Sequence, residues 1–237
     1  IIICENPKHS LKLLNKLGIK KKLIALHDYN EQKIIDQIKS LLKSKNCVLI
    51  SDAGSPLISD PGYNLVKYCI TNNIRVTSVP GPSSIVSSLQ LSGLPISEFA
   101  FFGFVPKSKK KMEDLVKNIS QEKKTCLFFV SSHKLIVFLD CLENIVGERS
   151  ISICKELTKV NEFIFRGNPS SVKNKILEDK ENIKGEFVAV IDRQTSKNQD
   201  FDNIDLYSKE LKKMTTKFSL TDIVEIVHKF TKINKNK

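Results

Sequence analysis

Short, nearly unbroken apolar runs recur along this chain, at 1–4, 47–50, 74–79, 99–104, 125–130, 150–154 and 186–191. Between many of them lie stretches with helical spacing. Ile34, Ile35, Ile38, Leu41 and Leu42 share a face within 31–44, and Leu65, Val66, Cys69 and Ile70 share one within 64–71. A strand that is apolar at every position hides both its faces, and a parallel sheet covered by helices on each side provides that for strand after strand. The pattern predicts an α/β protein.

The alternation breaks at 105–111, "VPKSKKK", where a proline precedes four lysines in five residues. This predicts a first α/β domain over 1–104, with a mostly parallel sheet, and a second over 105–193. The run itself reads either as a solvated loop or as an inter-domain linker that also touches phosphates. Within the second block, strands are expected at 125–130, 150–156, 161–166 and 184–192, and helices at 132–145 and 169–179. "KELTKVNEFIFRG" reads as two strands joined by a short turn, so this second sheet is expected to be mixed. Residues 194–237 are expected to form a polar linker and a C-terminal helix. Residues 194–215 have only weak periodicity, whereas "SLTDIVEIVHKF" restarts a helix, with Ser219 and Asp222 resembling a capping box. The tail "TKINKNK" is expected to fray.

No apolar stretch reaches the roughly 18 residues that a membrane helix needs, and no basic-then-apolar leader is visible, so the expected location is cytoplasmic and no membrane partner is expected. The formal charge of +12 suits a polyanionic partner such as nucleic acid, although lysine is abundant throughout and the surplus is spread along the chain. The cysteines, at 4, 47, 69, 126, 141 and 154, show no metal-ligand spacing and mostly lie in apolar runs. They read as buried, reduced thiols, and no metal site is expected.

Two loops stand out. "SDAGSPLISDPG" (51–62) follows the apolar run "CVLI", and "PGPSS" (80–84) follows "IRVTSV" and opens the stretch "SIVSSLQLSG". In an open α/β sheet, ligands bind beyond the carboxyl ends of the strands. Gly54 leaves room for close backbone approach, Pro56 stiffens the turn, and Asp52 offers a hydrogen-bond acceptor. Neither loop matches a P-loop or a dinucleotide fingerprint. Taken alone, the residues are compatible with a small-molecule crevice and equally with two tight turns.

The motifs extend further. "LISDAGSPLISDPGYNLV", "VPGPSSIVSSLQLSGLP" and "FAFFGFVPK" closely resemble the ribosomal RNA small subunit methyltransferase I family, a branch of the tetrapyrrole-methylase superfamily. "ENPKHSLKLLNKLGIKKKLIALHDYNEQ", "SSHKL", "KELTKVNEFIFRG" and "KGEFVAVID" resemble further elements of that family, in order, over about residues 3–193. The resemblance implies two α/β domains holding S-adenosylmethionine in a cleft between them, usually in a homodimer. It also implies methylation of a cytidine ribose 2′-hydroxyl in the decoding region of small-subunit (16S) rRNA. By motif position, Asp52, Ala53, Gly54, Ser55 and Pro56 match the cofactor loop, and Ser84 and Ile85 its second contact. Phe129, Glu156 and the Gly185-Glu186-Phe187 turn fall where the second domain approaches the cofactor.

Transfer to a hydroxyl needs alignment and a proton acceptor. Asp60, Lys155 and Glu156 are the candidates, each of which can equally be a structural ion-pair partner. Lys8, Lys107, Lys109, Lys110 and Lys111 are candidate RNA contacts. The chain departs from the family at Glu5-Asn6-Pro7-Lys8, where EDTR is usual, and at "FFVSSHKL", where an FYESPHRL-like stretch is usual. It also begins after the family's first strand and TPIGNL-type loop. "IIIC" is therefore expected beside a gap, and residues 1–237 alone are expected to be aggregation-prone and inactive. Two other readings stand beside the first: a tetrapyrrole C-methylase of the same superfamily, and a non-catalytic RNA-binding relative altered at 5–8 and 129–134.

Overall fold

The structure, a computed structural model, describes residues 1–194 and 218–231. The chain falls into two compact units, Ile1–Asp192 and Arg193–Lys237. The first unit contains two sheets. Strands β1 (Ile2–Cys4), β2 (Leu23–Ala25) and β3 (Val48–Ile50) pair in parallel in the order β2-β1-β3. Helices α1 (Pro7–Lys16) and α2 (Glu31–Ser44) make the crossovers, and α3 (Tyr63–Thr71) follows the loop after β3. Ile3, Leu26, Ile35, Ile38, Leu42, Leu65 and Cys69 form the buried core of this half.

The buried Glu31 carboxylate accepts from the Leu65 N–H at 2.8 Å and from Asn64 Nδ2 at 3.0 Å. It thereby serves the free donors at the start of α3, whose preceding Gly62 has no side chain to do so. At the start of α1, Asn6 accepts from the Lys8 and His9 N–H groups, with Pro7 at the first helical position. The unusual "ENPK" is thus a well-formed helix start.

Three expectations need correcting here. "IIIC" does not lie beside a gap, because Ile2 pairs with both Leu23 and Val48, which makes β1 the central strand. Residues 74–79 form no strand: among the described residues no strand pairs with them, and Val76 and Val79 are exposed. Strand conformation is stabilised by a hydrogen-bonded neighbour, which an apolar run does not itself supply. Nor is β3 buried on both faces, since Val48 is 53% exposed. Conversely, the three-residue β2 lay unnoticed within "KKKLIALHD".

The second sheet is mixed, with β4 (Phe99–Phe104), β5 (Thr125–Ser131), β6 (Ile151–Lys155), β7 (Phe163–Gly167) and β8 (Glu186–Ile191) in the order β4-β5-β8-β6-β7. Only the β4–β5 pair is parallel. Its strands show the two-sided burial expected from their sequence. Cys126, Phe128 and Val130 face a core built with α5 (Lys109–Ile119), α6 (Ser132–Val146) and α7 (Pro169–Leu177). Leu127, Val188 and Val190 face the other way, onto Leu89 of α4 (Ser84–Ser92). Side-chain period two explains how one continuous run feeds both cores. A 3₁₀ turn, Lys180–Ile183, precedes β8.

Strand β4, placed by the sequence reading before the 105–111 break, hydrogen-bonds into the second sheet. Lys109, Lys110 and Lys111 are the first turn of α5 rather than linker. Cys4, Cys69, Cys126, Cys141 and Cys154 are buried free thiols, and burial pushes the Cys126 thiol up to about 12. The described part of the second unit is helix α8 (Leu220–Thr231). Its Ser219 and Asp222 close a capping box: the Asp222 N–H donates to Ser219 Oγ at 3.2 Å, and Asp222 accepts in return. The polar stretch 195–215 and the tail after Thr231 lie outside the described residues. Among the described residues, no helix is long and apolar enough to cross a membrane.

Candidate cofactor cleft

The loop over 51–62 is shaped from within. Ser51 Oγ lies 3.2 Å from the Ala53 carbonyl and 3.1 Å from that of Gly54. Gly54 takes φ +68°, a left-handed conformation that favours glycine. A Cβ there would lie 4.0 Å from the Pro82 carbonyl oxygen, so backbone conformation rather than crowding calls for glycine. The two loops meet where Ser55 Oγ donates to the Pro82 carbonyl at 3.4 Å. From there the chain enters α4, with Ser83 as N-cap and Ser84 and Ile85 as its first residues.

A third wall comes from the second sheet. The β4–β5 register shifts between Phe101 and Phe104, and Gly103 there has φ +71°. A Cβ on Gly103 would lie 3.8 Å from Ser59 Oγ, so this bulge lies against the 51–62 loop. Phe129 packs edge-on against Phe101 at 4.8 Å and against Phe104 at 5.2 Å, and it shares an apolar cluster with Ile85. Helix α4 is fixed to this sheet by Leu89 and by Arg166 of β7, whose Nε donates to the Leu91 carbonyl at 3.1 Å. The structure thus brings Asp52, Ala53, Gly54, Ser55 and Pro56 to the loop before Ser84 and Ile85, and Phe129 to the cluster behind them.

Charge gathers around the 51–62 loop. His9 Nδ1 lies 3.5 Å from Asp52 Oδ1, yet that oxygen is buried and accepts no hydrogen bond among the described residues. Burial first, and then repulsion by Glu5, pushes Asp60 up to about 6. A Ser51 hydroxyl opposes the shift, while Asp52 and Asp28 add to it.

Lys155, Glu156, Gly185 and Glu186 form a second group, at the ends of β6 and β8. The buried Lys155 ammonium donates to the Glu181 carbonyl at 2.5 Å. The Glu156 carboxylate accepts from the Glu186 N–H at 2.8 Å and from Lys159 at 3.0 Å. The backbone bond from Glu186 chiefly, and Lys159 as well, hold it below the usual carboxylate range. Gly185 has φ +106°, and a Cβ there would meet Glu156 Cγ at 2.7 Å. Two clefts border this glycine, one of about 550 Å³ beside Lys155 and Phe163 and one of about 420 Å³ beside Ser132 and His133.

Among the described residues the candidate lysines make no hydrogen bond or ion pair with either group, although Lys8 shares the first turn of α1 with His9. Lys8, in the first turn of α1, is exposed. Lys107 is exposed and its carbonyl accepts from Lys134 at 2.8 Å, while Lys109 reaches Glu113 at 3.9 Å. Lys110 and Lys111 are exposed. Sequence reasoning missed Glu5, Asp28, His9, Ser59, Gly103 and Arg166. Only Gly103 carried a signal, as a glycine inside the strand-like "FFGF".

Two α/β halves, a turn-rich loop at the carboxyl end of a parallel strand and a helix packed on a mixed sheet are the architecture of the tetrapyrrole-methylase class. Solved structures share the fold. Diphthine synthase superimposes with a TM-score of 0.57 at 15% identity, over 81% of this chain and 78% of that one. Cobalt precorrin-4 methyltransferase does so with 0.54 at 14%, over 81% and 82%. The sequence pattern of the Tetrapyrrole (Corrin/Porphyrin) Methylases matches residues 1–173.

Curated relatives narrow this further. The ribosomal RNA small subunit methyltransferase I of Haemophilus influenzae is 38% identical over 203 residues, covering 84% of this chain and 72% of the relative. That of Buchnera aphidicola is 36% identical over 242 residues, covering 100% and 84%. The chain belongs to the ribosomal RNA small subunit methyltransferase I family.

Proposed function

We propose, against the expectation that residues 1–237 alone are inactive, that this protein transfers the methyl group of S-adenosylmethionine to the 2′-hydroxyl of a cytidine ribose in the decoding region of small-subunit (16S) rRNA. We place it in the cytoplasm, as a homodimer. The observation that carries this reading is the 36% identity spanning the whole chain with a small-subunit rRNA methyltransferase. The likeness to precorrin and diphthine enzymes, at 14–15% identity, supports the fold alone.

The residues of the cleft suit the proposed cofactor. A buried Asp52 oxygen that accepts no hydrogen bond among the described residues can take a hydroxyl or amino hydrogen. Ala53 to Pro56 offer backbone at a left-handed glycine, Ser84 and Ile85 border the helix start, and Phe129 with Ile85 supplies an apolar wall. S-adenosylmethionine, when bound, supplies an activated sulfonium methyl. The chain's part is to align the acceptor hydroxyl and remove its proton.

Asp60 is the proposed proton acceptor. Pushed up to about 6, it is ionised at pH 7.5 and yet more basic than an ordinary aspartate. Glu156 is held below the usual range by its bonds to Glu186 and Lys159, and Lys155 is engaged by Glu181. We therefore propose both as brackets at the β6–β8 edge, positioning Gly185 and Glu186 toward the cofactor. Lys8, Lys107, Lys109, Lys110 and Lys111 are proposed RNA contacts. The division at 104/105 is proposed as the joint between the halves, with β4 belonging to the second sheet.

The test is labelled methyl transfer to small ribosomal subunits from cells lacking the modification, followed by alkaline hydrolysis. A ribose 2′-O-methyl blocks cleavage at its own phosphodiester, so label is expected in an alkali-resistant dinucleotide. Label in a base, or transfer only to a tetrapyrrole, would overturn the reading.

A further inference from the structure

Helix α1 carries a feature that the cleft does not use. Lys8, Lys12 and Lys16 stand at i, i+4 and i+8 and are all exposed. At 1.5 Å rise per residue they step about 6 Å at a time along one side of the helix. The segment between α1 and β2 adds Lys20, Lys21 and Lys22, also exposed. From Asn6 to His27 the chain contains no aspartate or glutamate at all. No ion pair engages these six lysines among the described residues, as is also true of Lys33, Lys43 and Lys45, so it is their density along one helix and turn that sets them apart.

Stability of the helix does not explain the stripe. Lys16, in the last turn, complements the helix dipole, but Lys8 sits in the first turn, where a cation is unfavourable and where no acid offsets it. Six like charges within fifteen residues repel one another in the free protein. A polyanion laid along them relieves that repulsion and releases its own counterions. The stripe also starts beside the cleft, because His9 of the same first turn lies 3.5 Å from Asp52. Around the cleft itself the charge is opposite in sign, with Asp52, Asp60, Glu5 and Asp28. A phosphate backbone would therefore be held along α1 and away from those carboxylates.

We infer that Lys12, Lys16, Lys20, Lys21 and Lys22 extend from Lys8 as a phosphate-tracking surface for the RNA strand whose nucleotide enters the cleft. This rests on the rRNA reading above and adds to it a second place where the substrate is gripped. Such contacts position the RNA and read no sequence.

The experiment measures binding of a small-subunit rRNA fragment at several salt concentrations, for wild type and for the triple variant K12Q/K16Q/K20Q. Glutamine keeps a helix propensity close to that of lysine, so α1 should persist. Each lost phosphate contact lowers the slope of log K against log salt by roughly 0.7 to 0.9, so the triple variant should lose about 2 to 3. A control, K33Q/K43Q/K45Q on and just after α2, removes the same net charge from another exposed surface. It should leave the slope within about half a contact of wild type. S-adenosylmethionine binding by calorimetry should be unchanged in both variants. If the α1 variant keeps the wild-type slope, or the α2 control loses as much, the stripe is not the track. If the wild-type protein binds rRNA without salt dependence, the rRNA reading itself fails, and this inference with it.

Discussion

Replacing Asp60 by asparagine separates the demands of chemistry from those of folding. Asp60 stands at about 6 against an ordinary 3.8, mainly through burial and then through Glu5. The native state therefore holds this proton more tightly than the unfolded chain does. Stability contributed by Asp60 is present below pH 3.8 and is lost as pH rises from there through about 6. A shift of about two units corresponds to roughly 3 kcal/mol, and partial exposure reduces this to about 1–2 kcal/mol in practice. D60N removes the charge and keeps the shape. It should be more stable than wild type by about 1–2 kcal/mol at pH 8, with the gain vanishing toward pH 4. Denaturant titrations at pH 4, 6 and 8 measure this directly. The same variant should lose methyl transfer, and the wild-type rate should rise with pH through about 6. Equal or lower stability of D60N at pH 8, or a pH-independent wild-type rate between 5 and 7, would refute the assignment.

Other consequences follow from single contacts. Gly54→Ala places a side chain on a left-handed backbone at a cost of about 1–2 kcal/mol, and should weaken S-adenosylmethionine binding by calorimetry at least tenfold, on the order of 1.4 kcal/mol, with far-ultraviolet dichroism unchanged. Leu89→Ala empties the contact between α4 and the second sheet and should cost about 2–4 kcal/mol in denaturant titrations. It should weaken the cofactor as well, since α4 carries Ser84 and Ile85. Glu31→Ala strands the Leu65 N–H and should cost about 1–3 kcal/mol, without changing cofactor affinity at temperatures where the fold holds.

The α/β class was legible because two-sided burial leaves an apolar run, as in "TCLFFV" and "EFVAVI". Where burial is one-sided or pairing is absent, the same signal misleads. "IRVTSV" has the composition of a strand and no strand partner among the described residues, and β2 is three residues long between lysines and a turn. The loops were legible from glycine and proline, since those residues restrict backbone locally. Their meeting was not, because Ser55 to Pro82 and Ser59 to Gly103 are contacts across 27 and 44 residues that no local pattern encodes. The acids around Asp60 come from three segments, and Arg166 reaches a carbonyl 75 residues away. Glu156 illustrates the reverse case. Its motif position pointed to chemistry, while its hydrogen bonds give it a bracing geometry.

Cofactor binding as proposed requires the 51–62 loop, the 80–84 loop and Phe129 to form one cleft. The measurement that reaches this most directly is a crystal structure of the protein with S-adenosylhomocysteine, the product left after methyl transfer. The expected result is a donor hydrogen of the ligand on Asp52, its sulfur within reach of Asp60, and an apolar contact with Ile85 or Phe129. Ligand seated instead in the clefts around Gly185, beside Ser132 and His133 or beside Lys155 and Phe163, with the two loops bare, would contradict it.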